Sequence, residues 1–345
     1  MVLAGYSGPA ICKSNHGMEK VASSRGQALW YVGPGRGEIR EEPAIEPGPH
    51  DVRVRALYGA LSRGTERLVF AGKVPEGEFE RMRAPFMGGA FPFPVKYGYA
   101  VVGRVETGPS ELRDRIVFAL HPHQSVFTIP VGAAIPVPAG VPPRRAALAA
   151  NMETALNAVW DAAPGPADRI AIVGAGVVGS LIAFLCGKLP GAQVILVDIA
   201  GSRAELAKRL GVGFALPDAA PADCDLVFHA SGTAAGLATA LGLAGEEASV
   251  IELSWYGTGE VPIPLGEAFH SRRLRLVSSQ VGRVAPSHRA RWTPQRRLAA
   301  ALDLLADPAL DALLAPAIAF ADLPAQLPTI FAPDSGVLCQ LIDYR

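Results

Sequence analysis

The stretch from Ile170 to Asp198, IAIVGAGVVGSLIAFLCGKLPGAQVILVD, decides the fold of this chain. Its first apolar run, Ile170–Val173, leads into three glycines with the spacing G-x-G-x-x-G. An apolar helical segment follows, and a second short apolar run then ends at Asp198. A strand, a glycine turn, a helix, a strand and an acidic residue in this order are typical of a dinucleotide-binding βαβ unit, whereas the glycine spacing alone is weak evidence.

The backbone of this turn is expected to hold the diphosphate of a dinucleotide. Gly174 allows the tight turn, Gly176 lets the diphosphate approach the main chain, and Gly179 lets the helix pack closely on the strand. Val177 and Val178 begin that helix, whose free N–H groups and positive dipole end favour phosphate. The alternative is a core of the same topology that binds no nucleotide.

Asp198 indicates which dinucleotide is bound. It lies 19 residues after Gly179, close to the ~20 expected for the acid that accepts hydrogen bonds from the ribose hydroxyls. Because a carboxylate repels a ribose 2′-phosphate, the sequence predicts NAD as the cofactor rather than NADP. Arg203 lies near enough in the sequence to weaken this preference.

The composition is that of a neutral globular protein. Half of the 345 residues are hydrophobic, 19% are charged, and 32 basic residues balance 32 acidic ones. The length predicts two domains or one large one, and the charge balance gives no reason to expect nucleic acid or a membrane as a partner. No uninterrupted apolar run reaches the ~18 residues typical of a membrane-spanning helix.

The cysteines are scattered, which favours a reducing compartment and argues against a disulfide framework or a thiolate zinc site. Residues 1–25 lack the apolar core of a signal peptide and are predicted to form an N-terminal extension. We therefore expect a cytoplasmic protein that acts on a small molecule. The cysteines are Cys12, Cys186, Cys224 and Cys339.

The chain has two halves with different patterns. Residues 26–150 contain short strands broken by Gly and Pro turns, which predicts a mostly-β domain. Residues 151–292 alternate apolar strands with helices, which predicts an α/β domain with a doubly wound parallel sheet. Residues 293–345 begin with a helix and end with a strand, Val337–Tyr344, that is predicted to return to the first domain. A cofactor domain beside a substrate domain would place the chemistry in the cleft between them.

The order of these parts resembles the medium-chain dehydrogenase/reductase superfamily, in which a GroES-like β domain precedes a Rossmann domain. Four segments carry the resemblance, and they are Tyr97–Gly103, Arg115–Phe118, Ala146–Val159 and His229–Gly232. The resemblance implies a nicotinamide cofactor that lies near Thr154, Ser231 and Gly232. It also implies a homodimer in which Val261–Leu265 adds strands across the interface.

The zinc enzymes of that superfamily hold a catalytic metal with a Cys, a His and a further Cys or Glu. The corresponding positions in this chain are Ser62, Tyr99 and Ala150, and none of them is a good zinc ligand. The resemblance therefore implies a zinc-independent member without a metal site. His121 and His123 could instead point the same way from one strand and share a metal with a remote histidine, or they could be histidines of the surface or of a cleft rim.

Without zinc, another group must polarise the substrate carbonyl and supply the proton that accompanies hydride. Tyr99, at the position of the zinc-binding histidine, is the first candidate because a phenol can donate a proton. Ser62, Thr65 and Glu66 lie in a Ser-x-Gly-Thr-Glu segment that also resembles the bacteriochlorophyllide dehydrogenases of the same superfamily. Glu153, in the connecting helix, is a further acid. The alternatives are a packed tyrosine and carboxylates that cap helices or pair with arginines.

Two other segments are candidates for the substrate site. Trp255 and Tyr256 follow a strand at the edge where open α/β sheets bind ligands, so they could stack on a flat substrate or pack between the domains. Eight arginines lie between Arg272 and Arg297. They form either a solvated basic face or an anion site for a substrate carboxylate or phosphate.

Together these features predict an NAD(H)-dependent, zinc-independent oxidoreductase. It would interconvert an alcohol and a carbonyl on a polar small molecule, which carries an anionic group if the arginines bind it. One alternative is an enone or quinone reductase of the same fold, in which hydride adds to an activated alkene. The other is a non-catalytic nucleotide-binding protein that has kept the fold and lost the chemistry.

Overall fold

The computed structural model describes residues 25–43 and 45–345. The predicted extension, residues 1–25, therefore lies outside the described residues except for Arg25. The chain divides into two compact units. The first, called the β unit, contains the described residues up to 150 together with 315–345, and the second, called the Rossmann unit, contains residues 151–314. In the described ranges, no helix is long and apolar enough to cross a membrane.

The strands and the helices are each numbered in chain order. The strands are β1 (Arg25–Gly33), β2 (Arg36–Pro43), β3 (Asp51–Leu61), β4 (Gly88–Gly89), β5 (Val95–Lys96), β6 (Val101–Thr107), β7 (Ile116–Ala119), β8 (Val126–Pro130), β9 (Ile135–Pro136), β10 (Arg169–Val173), β11 (Gln193–Val197), β12 (Gly213–Ala215), β13 (Cys224–His229), β14 (Ala244–Glu252), β15 (Arg275–Ser278), β16 (Ile318–Ala319) and β17 (Gln340–Asp343). The helices are α1 (Arg63–Phe70), α2 (Pro143–Ala146), α3 (Ala149–Ala162), α4 (Val177–Cys186), α5 (Arg203–Leu210), α6 (Ala234–Leu243), α7 (Pro294–Asp303) and α8 (Leu323–Phe331).

The β unit contains two sheets. One has the strand order β2-β1-β5-β4, and the other has the order β16-β17-β3-β6-β7-β9, with β8 also paired to β3. Strand β3 alternates buried and more exposed residues along most of its length, as expected for a strand with one face on a core. Val54, Val105 and Val117 meet in that core. Strand β17 pairs antiparallel with β3, with Gln340 opposite Leu61.

The Rossmann unit is a six-stranded parallel sheet in the order β12-β11-β10-β13-β14-β15. Counted within the unit this order is 3-2-1-4-5-6, the doubly wound arrangement of dinucleotide-binding domains. Val173, Val197, Val227 and Val250, one on each of the four central strands, are buried in its core. The predicted α/β class, a mostly-β part followed by a doubly wound parallel sheet, is confirmed.

Helix α7 belongs to the Rossmann unit, so the chain returns to the β unit at Ala315 and not at residue 293. Leu298 and Leu302 of this helix are fully buried. Arg297, also fully buried, donates through Nε to Glu153 Oε1 of α3 at 3.0 Å and through Nη1 to Asn157 Oδ1 at 2.5 Å. Its remaining donors reach backbone carbonyls. This buried cation holds α7 on α3, a contact that the sequence pattern does not show.

The same contact assigns Glu153 a structural role. Its carboxyl group is 2% exposed and faces Arg297, so Glu153 is not placed to act as the predicted acid or base toward a substrate. Burial raises the pKa of Glu153 to about 7, against the opposing charge of Arg297. The folded state therefore keeps a proton on this carboxyl at pH values where the unfolded chain has lost it.

We predict that this proton makes the free energy of unfolding depend on pH. Because the pKa of Glu153 is raised in the folded state, this carboxyl stabilises the fold fully at pH values below its ordinary pKa of 4.5. This stabilisation is lost as the pH rises through about 7, by at most ~1.4 kcal/mol per pH unit. Glu153→Gln removes the titration, so its pH profile should lack this slope. Urea unfolding between pH 5 and 8 measures both profiles, and parallel profiles would contradict the assignment.

Candidate functional site

The glycine turn after β10 has the geometry that its sequence predicts. Gly174 has φ +109°, and a Cβ on it would lie 2.6 Å from the backbone nitrogen of Ser231. A Cβ on Gly179 would lie 2.0 Å from the carbonyl oxygen of Gly174. Neither position accepts a side chain, because backbone atoms on both sides are fixed by the sheet and by α4.

Gly176 differs from the other two glycines because open space surrounds it. Nothing lies within 4 Å of the position that its Cβ would occupy, and Gly176 is the exposed N-cap of α4. Val177 and Val178, half-buried, form the first turn of this helix. The result is an open space at a helix N-terminus, which can accept an anionic group against main-chain N–H donors.

Asp198 lies directly after β11, beside this space. Its Oδ2 accepts the Ala175 N–H at 2.7 Å and its Oδ1 accepts the Ala200 N–H at 2.9 Å. Each oxygen keeps acceptor capacity for a second donor, such as a ribose hydroxyl. The next residue, Ile199, is 86% exposed, an apolar surface beside the acid that the sequence analysis did not single out. Arg203, at the start of α5, is half-buried.

Ser231 and Gly232 follow β13 at the same carboxyl edge of the sheet. The Ser231 backbone adjoins Gly174, and the Gly232 N–H donates to Ser254 Oγ at 3.1 Å. Thr154 is half-buried on α3. The structure thus brings Ser231 and Gly232 to the glycine turn within the Rossmann unit.

Sequence reasoning missed the polar group beneath Ser231. His229 ends β13 and Glu252 ends β14, and the two are register partners. His229 Nδ1 lies 2.7 Å from Glu252 Oε2, and its Nε2 lies 2.7 Å from Ser231 Oγ. The signal was present in the sequence, because polar residues at the carboxyl ends of neighbouring parallel strands meet at one edge.

Glu66 lies fully buried in the β unit, and each of its carboxylate oxygens is occupied. Oε1 accepts the Ser62 N–H at 2.8 Å. Oε2 accepts the Tyr31 hydroxyl at 2.9 Å and lies 2.9 Å from His123 Nε2. Glu66, predicted as a catalytic acid or base, therefore holds the start of α1 and is not exposed to a substrate.

Tyr99 is also buried, at 1% exposure, and its hydroxyl has no solvent-accessible surface. Burial, with the charge of Glu66, raises its pKa, although the hydroxyls of Ser62 and Thr65 partly oppose this shift. Arg63, which follows Ser62 in the sequence, donates to three backbone carbonyls. The expected role of Tyr99 as proton donor to a substrate does not fit this position.

Ser62 and Thr65 are the predicted catalytic residues of the β unit that remain partly exposed. Ser62 is the N-cap of α1, but its hydroxyl makes no capping hydrogen bond. The cap is made instead by Glu66, which accepts the Ser62 N–H. The Ser62 hydroxyl is therefore not used by the helix, and its neighbours Tyr99 and Glu66 lie beneath it.

The two histidines of the segment Leu120–His123 are buried, and each of them contacts different residues. His121 stacks on Phe127 with ring centroids 3.9 Å apart, and burial lowers its pKa to about 3. His123 pairs with Glu66. The expected surface position is thus wrong for this pair, because both side chains are buried. Within residues 25–43 and 45–345, no group of three His, Cys, Asp or Glu side chains could hold a metal ion.

The arginine-rich segment does not form one cluster. Arg272 donates to a backbone carbonyl, Arg273 pairs with Glu247, and Arg297 is buried. Arg296 stacks on Trp292 at 4.0 Å. Half of the eight arginines therefore have structural partners, which weakens the case for an anion site. Of the predicted aromatic pair, Tyr256 donates its hydroxyl to Glu252 at 3.1 Å.

No family model and no curated protein matches this sequence. Solved structures do match its fold. L-idonate 5-dehydrogenase from Escherichia coli K-12 superposes with a TM-score of 0.76 at 16% identity, over 93% of this chain and 99% of that one. The rspB alcohol dehydrogenase of E. coli CFT073, solved with NADH, gives 0.74 at 16% identity, over 93% and 100%.

A protein of Sinorhizobium meliloti 1021 classed with zinc-binding dehydrogenases, solved with NADP, gives a TM-score of 0.73 at 22% identity, over 93% of this chain and 99% of that one. These identities are low, so the likeness concerns the fold. The chain therefore shares the fold of these solved dehydrogenase structures.

The glycines give a matched pair of variants. We predict that Gly179→Ala lowers stability by ~1–3 kcal/mol or more, because its Cβ must displace backbone. Gly176→Ala should leave stability within ~0.5 kcal/mol and yet lose NADH binding, because the Cβ enters the open space. Thermal unfolding and NADH fluorescence titration separate the two effects. Equal losses of stability, or unchanged NADH binding by Gly176→Ala, would contradict this interpretation of the turn.

Proposed function

We propose that this protein is an NAD(H)-dependent oxidoreductase that interconverts an alcohol and a carbonyl on a polar small molecule without zinc. The observation that carries the proposal is the open space at Gly176 with Asp198 beside it. It combines main-chain donors for a diphosphate with a carboxylate for a ribose diol, and the structures of the same fold solved with NADH and NADP support a nicotinamide dinucleotide.

The Rossmann unit would hold the dinucleotide through residues with distinct tasks. The Gly174–Gly179 turn and the first turn of α4 bind the diphosphate, and Asp198 accepts the adenosine ribose hydroxyls. Arg203, Thr154, Ser231 and Gly232 are proposed as further contacts. When bound, the nicotinamide supplies or accepts hydride, so the protein contributes orientation and a place for the proton.

In the β unit, we assign Ser62 and Thr65 as the hydroxyls that meet the substrate oxygen. Their partial exposure supports this, and the Ser62 hydroxyl makes no capping hydrogen bond to α1. Glu66 would act as a positioning residue, because it fixes the Ser62 backbone. Tyr99 would stay un-ionised beneath them, since burial makes its phenolate costly. The proton that accompanies hydride then passes through the exposed hydroxyls and not from Tyr99.

Zinc independence is part of the same proposal. A serine, a tyrosine and an alanine at Ser62, Tyr99 and Ala150 supply no strong zinc ligand. Hydroxyl donors then polarise the carbonyl in place of a Lewis acid. Hydroxyl donors polarise a carbonyl less strongly than a metal ion does, so such a site suits carbonyl compounds that are already reactive. A panel of substrates distinguishes reduction of these compounds from reduction of activated alkenes.

Cofactor choice tests the assignment of Asp198. We predict tighter binding of NADH than of NADPH, because the Asp198 carboxylate repels a 2′-phosphate. Asp198→Ala should narrow the difference between the NADH and NADPH dissociation constants. Asp218→Ala, which removes an exposed acid from the same unit, should leave that difference unchanged. Fluorescence titration gives both dissociation constants. Equal or tighter NADPH binding by the unmutated protein would reject the assignment.

Turnover tests the hydroxyl assignment. With NADH and a panel of aldehydes, ketones, enones and quinones, we predict that Ser62→Ala and Thr65→Val lower kcat by at least ~10-fold. Tyr99→Phe should stay within about threefold of the unmutated protein. Tyr344→Phe is the matched control, since it removes another buried tyrosine hydroxyl of the β unit.

Two results would change this interpretation. A large loss in Tyr99→Phe with normal turnover in Ser62→Ala would return the proton-donor role to Tyr99. Stoichiometric zinc by elemental analysis, with activity lost to a chelator, would reject zinc independence. Turnover of enones but not of carbonyl compounds would identify a reductase of activated alkenes.

A further inference from the structure

Three side chains at the carboxyl edge of the Rossmann unit form a hydrogen-bonded row, of which only Ser231 is also a proposed contact to the dinucleotide. Ser231 Oγ lies 2.7 Å from His229 Nε2, and His229 Nδ1 lies 2.7 Å from Glu252 Oε2. Ser231 is partly exposed, and the His229 side chain is fully buried. A hydroxyl, an imidazole and a carboxylate in hydrogen-bonded sequence are the arrangement that activates a serine as a nucleophile.

The carboxylate at the end of this row is firmly held. Glu252 Oε1 accepts the Ser254 N–H at 2.6 Å, and Oε2 also accepts the Tyr256 hydroxyl at 3.1 Å. Burial opposes its ionisation, but the hydrogen bonds from His229 and Ser254 lower the pKa of Glu252 overall. Glu252 is therefore an ionised acceptor near neutral pH, with a fixed orientation toward the imidazole.

This carboxylate determines the tautomer of His229. An ionised carboxylate only accepts, so the neutral imidazole must carry its proton on Nδ1. The Nε2 lone pair then faces Ser231, whose hydroxyl has to donate to it. This is the proton arrangement that a general base needs before it deprotonates a serine.

The surroundings of Ser231 Oγ also favour a nucleophile. Thr233 Oγ1 lies 3.0 Å away and the Thr233 N–H donates to Oγ at 3.3 Å. Both can stabilise negative charge that develops on Oγ. Gly236, in the first turn of α6, leaves room for the hydroxyl, since a Cβ there would lie 2.1 Å from Oγ.

Donors for an oxyanion are close by. Ser231 stands between the end of β13 and the start of α6, and the Ser231 N–H has no acceptor among the described residues. In the first turn of α6, Thr233 Oγ1 accepts the Gly236 N–H at 3.1 Å, and the N–H groups of Ala234 and Ala235 are not used by the helix itself. A carbonyl oxygen attacked by Ser231 would therefore meet main-chain N–H groups on the same short turn.

We propose that Ser231, His229 and Glu252 form an acyl-transfer centre that hydrolyses small activated esters. Ser231 Oγ forms a bond to the ester carbonyl carbon as its proton moves to His229 Nε2. The C–O bond to the leaving alcohol breaks, and that alcohol takes the proton from Nε2. Water then attacks the acyl-serine, gives its proton to Nε2 and releases the carboxylic acid as the Ser231 hydroxyl is restored. The buried imidazole restricts the acyl group to a small one such as acetyl.

The experiment uses the full chain with 4-nitrophenyl acetate and no dinucleotide, so that it is independent of the proposed oxidoreductase. We expect 4-nitrophenolate release above the buffer rate, reduced by ~10² or more in Ser231→Ala and in His229→Gln. Ser271→Ala is the matched control, because it removes an exposed hydroxyl of the same unit that contacts only a backbone carbonyl. It should leave the rate unchanged.

Covalent labelling keeps the test decisive if a variant fails to fold. The unmutated protein treated with a fluorophosphonate should gain one adduct in its intact mass, and peptide mapping should place it on Ser231. A hydrolysis rate equal to buffer, a rate unchanged in folded Ser231→Ala, or an adduct elsewhere would each overturn the proposal. None of these results would affect the NADH-binding and turnover tests.

Discussion

The contact between the α4 backbone at Gly179 and the carbonyl of Gly174 is the constraint on which the Rossmann unit depends. A side chain on Gly179 would overlap the carbonyl oxygen of Gly174. The helix α4 therefore contacts the turn after β10 through main-chain atoms alone at this point. This close approach aims the N-terminus of α4 and brings Ala175 within reach of Asp198. Gly174 also adjoins the Ser231 backbone. The one turn after β10 therefore positions both Asp198, which follows β11, and Ser231, which follows β13.

The β unit depends on a different interaction, a buried carboxylate with enough donors. Glu66 is fully buried, which would be costly for an isolated charge. The Tyr31 hydroxyl, the Ser62 N–H and His123 satisfy it. In the Rossmann unit, Arg297 is satisfied by Glu153, Asn157 and backbone carbonyls. In both units the polar group joins elements that are distant in the sequence, where an apolar contact would fix the orientation less strictly.

The fold could be predicted from the sequence wherever burial imposes a hydrophobic pattern. The side chains of the site could be predicted less well. Apolar runs such as Ile170–Val173 predicted the parallel strands because both faces of that sheet are covered. Strand β2, Arg36–Pro43, has no buried residue and is mostly charged, so no apolar alternation marks it. Helix α8, Leu323–Phe331, contains Pro324 and Pro328, and proline in the interior of a segment argues against a helix.

The backbone part of the site was predictable because glycine spacing encodes geometry directly. The side-chain part was not, because a sequence shows which residues can ionise but not which are buried. Glu66, Glu153 and Tyr99 were all plausible acids by type and position. Their partners, among them His123 and Arg297, lie tens of residues or more away along the chain, and only the folded structure brings them together.

The pairing of β17 with β3 has a consequence for the order in which the chain is made. The Rossmann unit is one continuous segment, whereas the β unit takes a strand from Gln340–Asp343, after all of residues 151–314. During synthesis the β unit begins first, but its strand β3 cannot pair with β17 until the whole Rossmann unit has left the ribosome. Until then the edge of β3 that receives β17 has unpaired backbone groups, a surface on which a chaperone or a neighbouring nascent chain can add a strand.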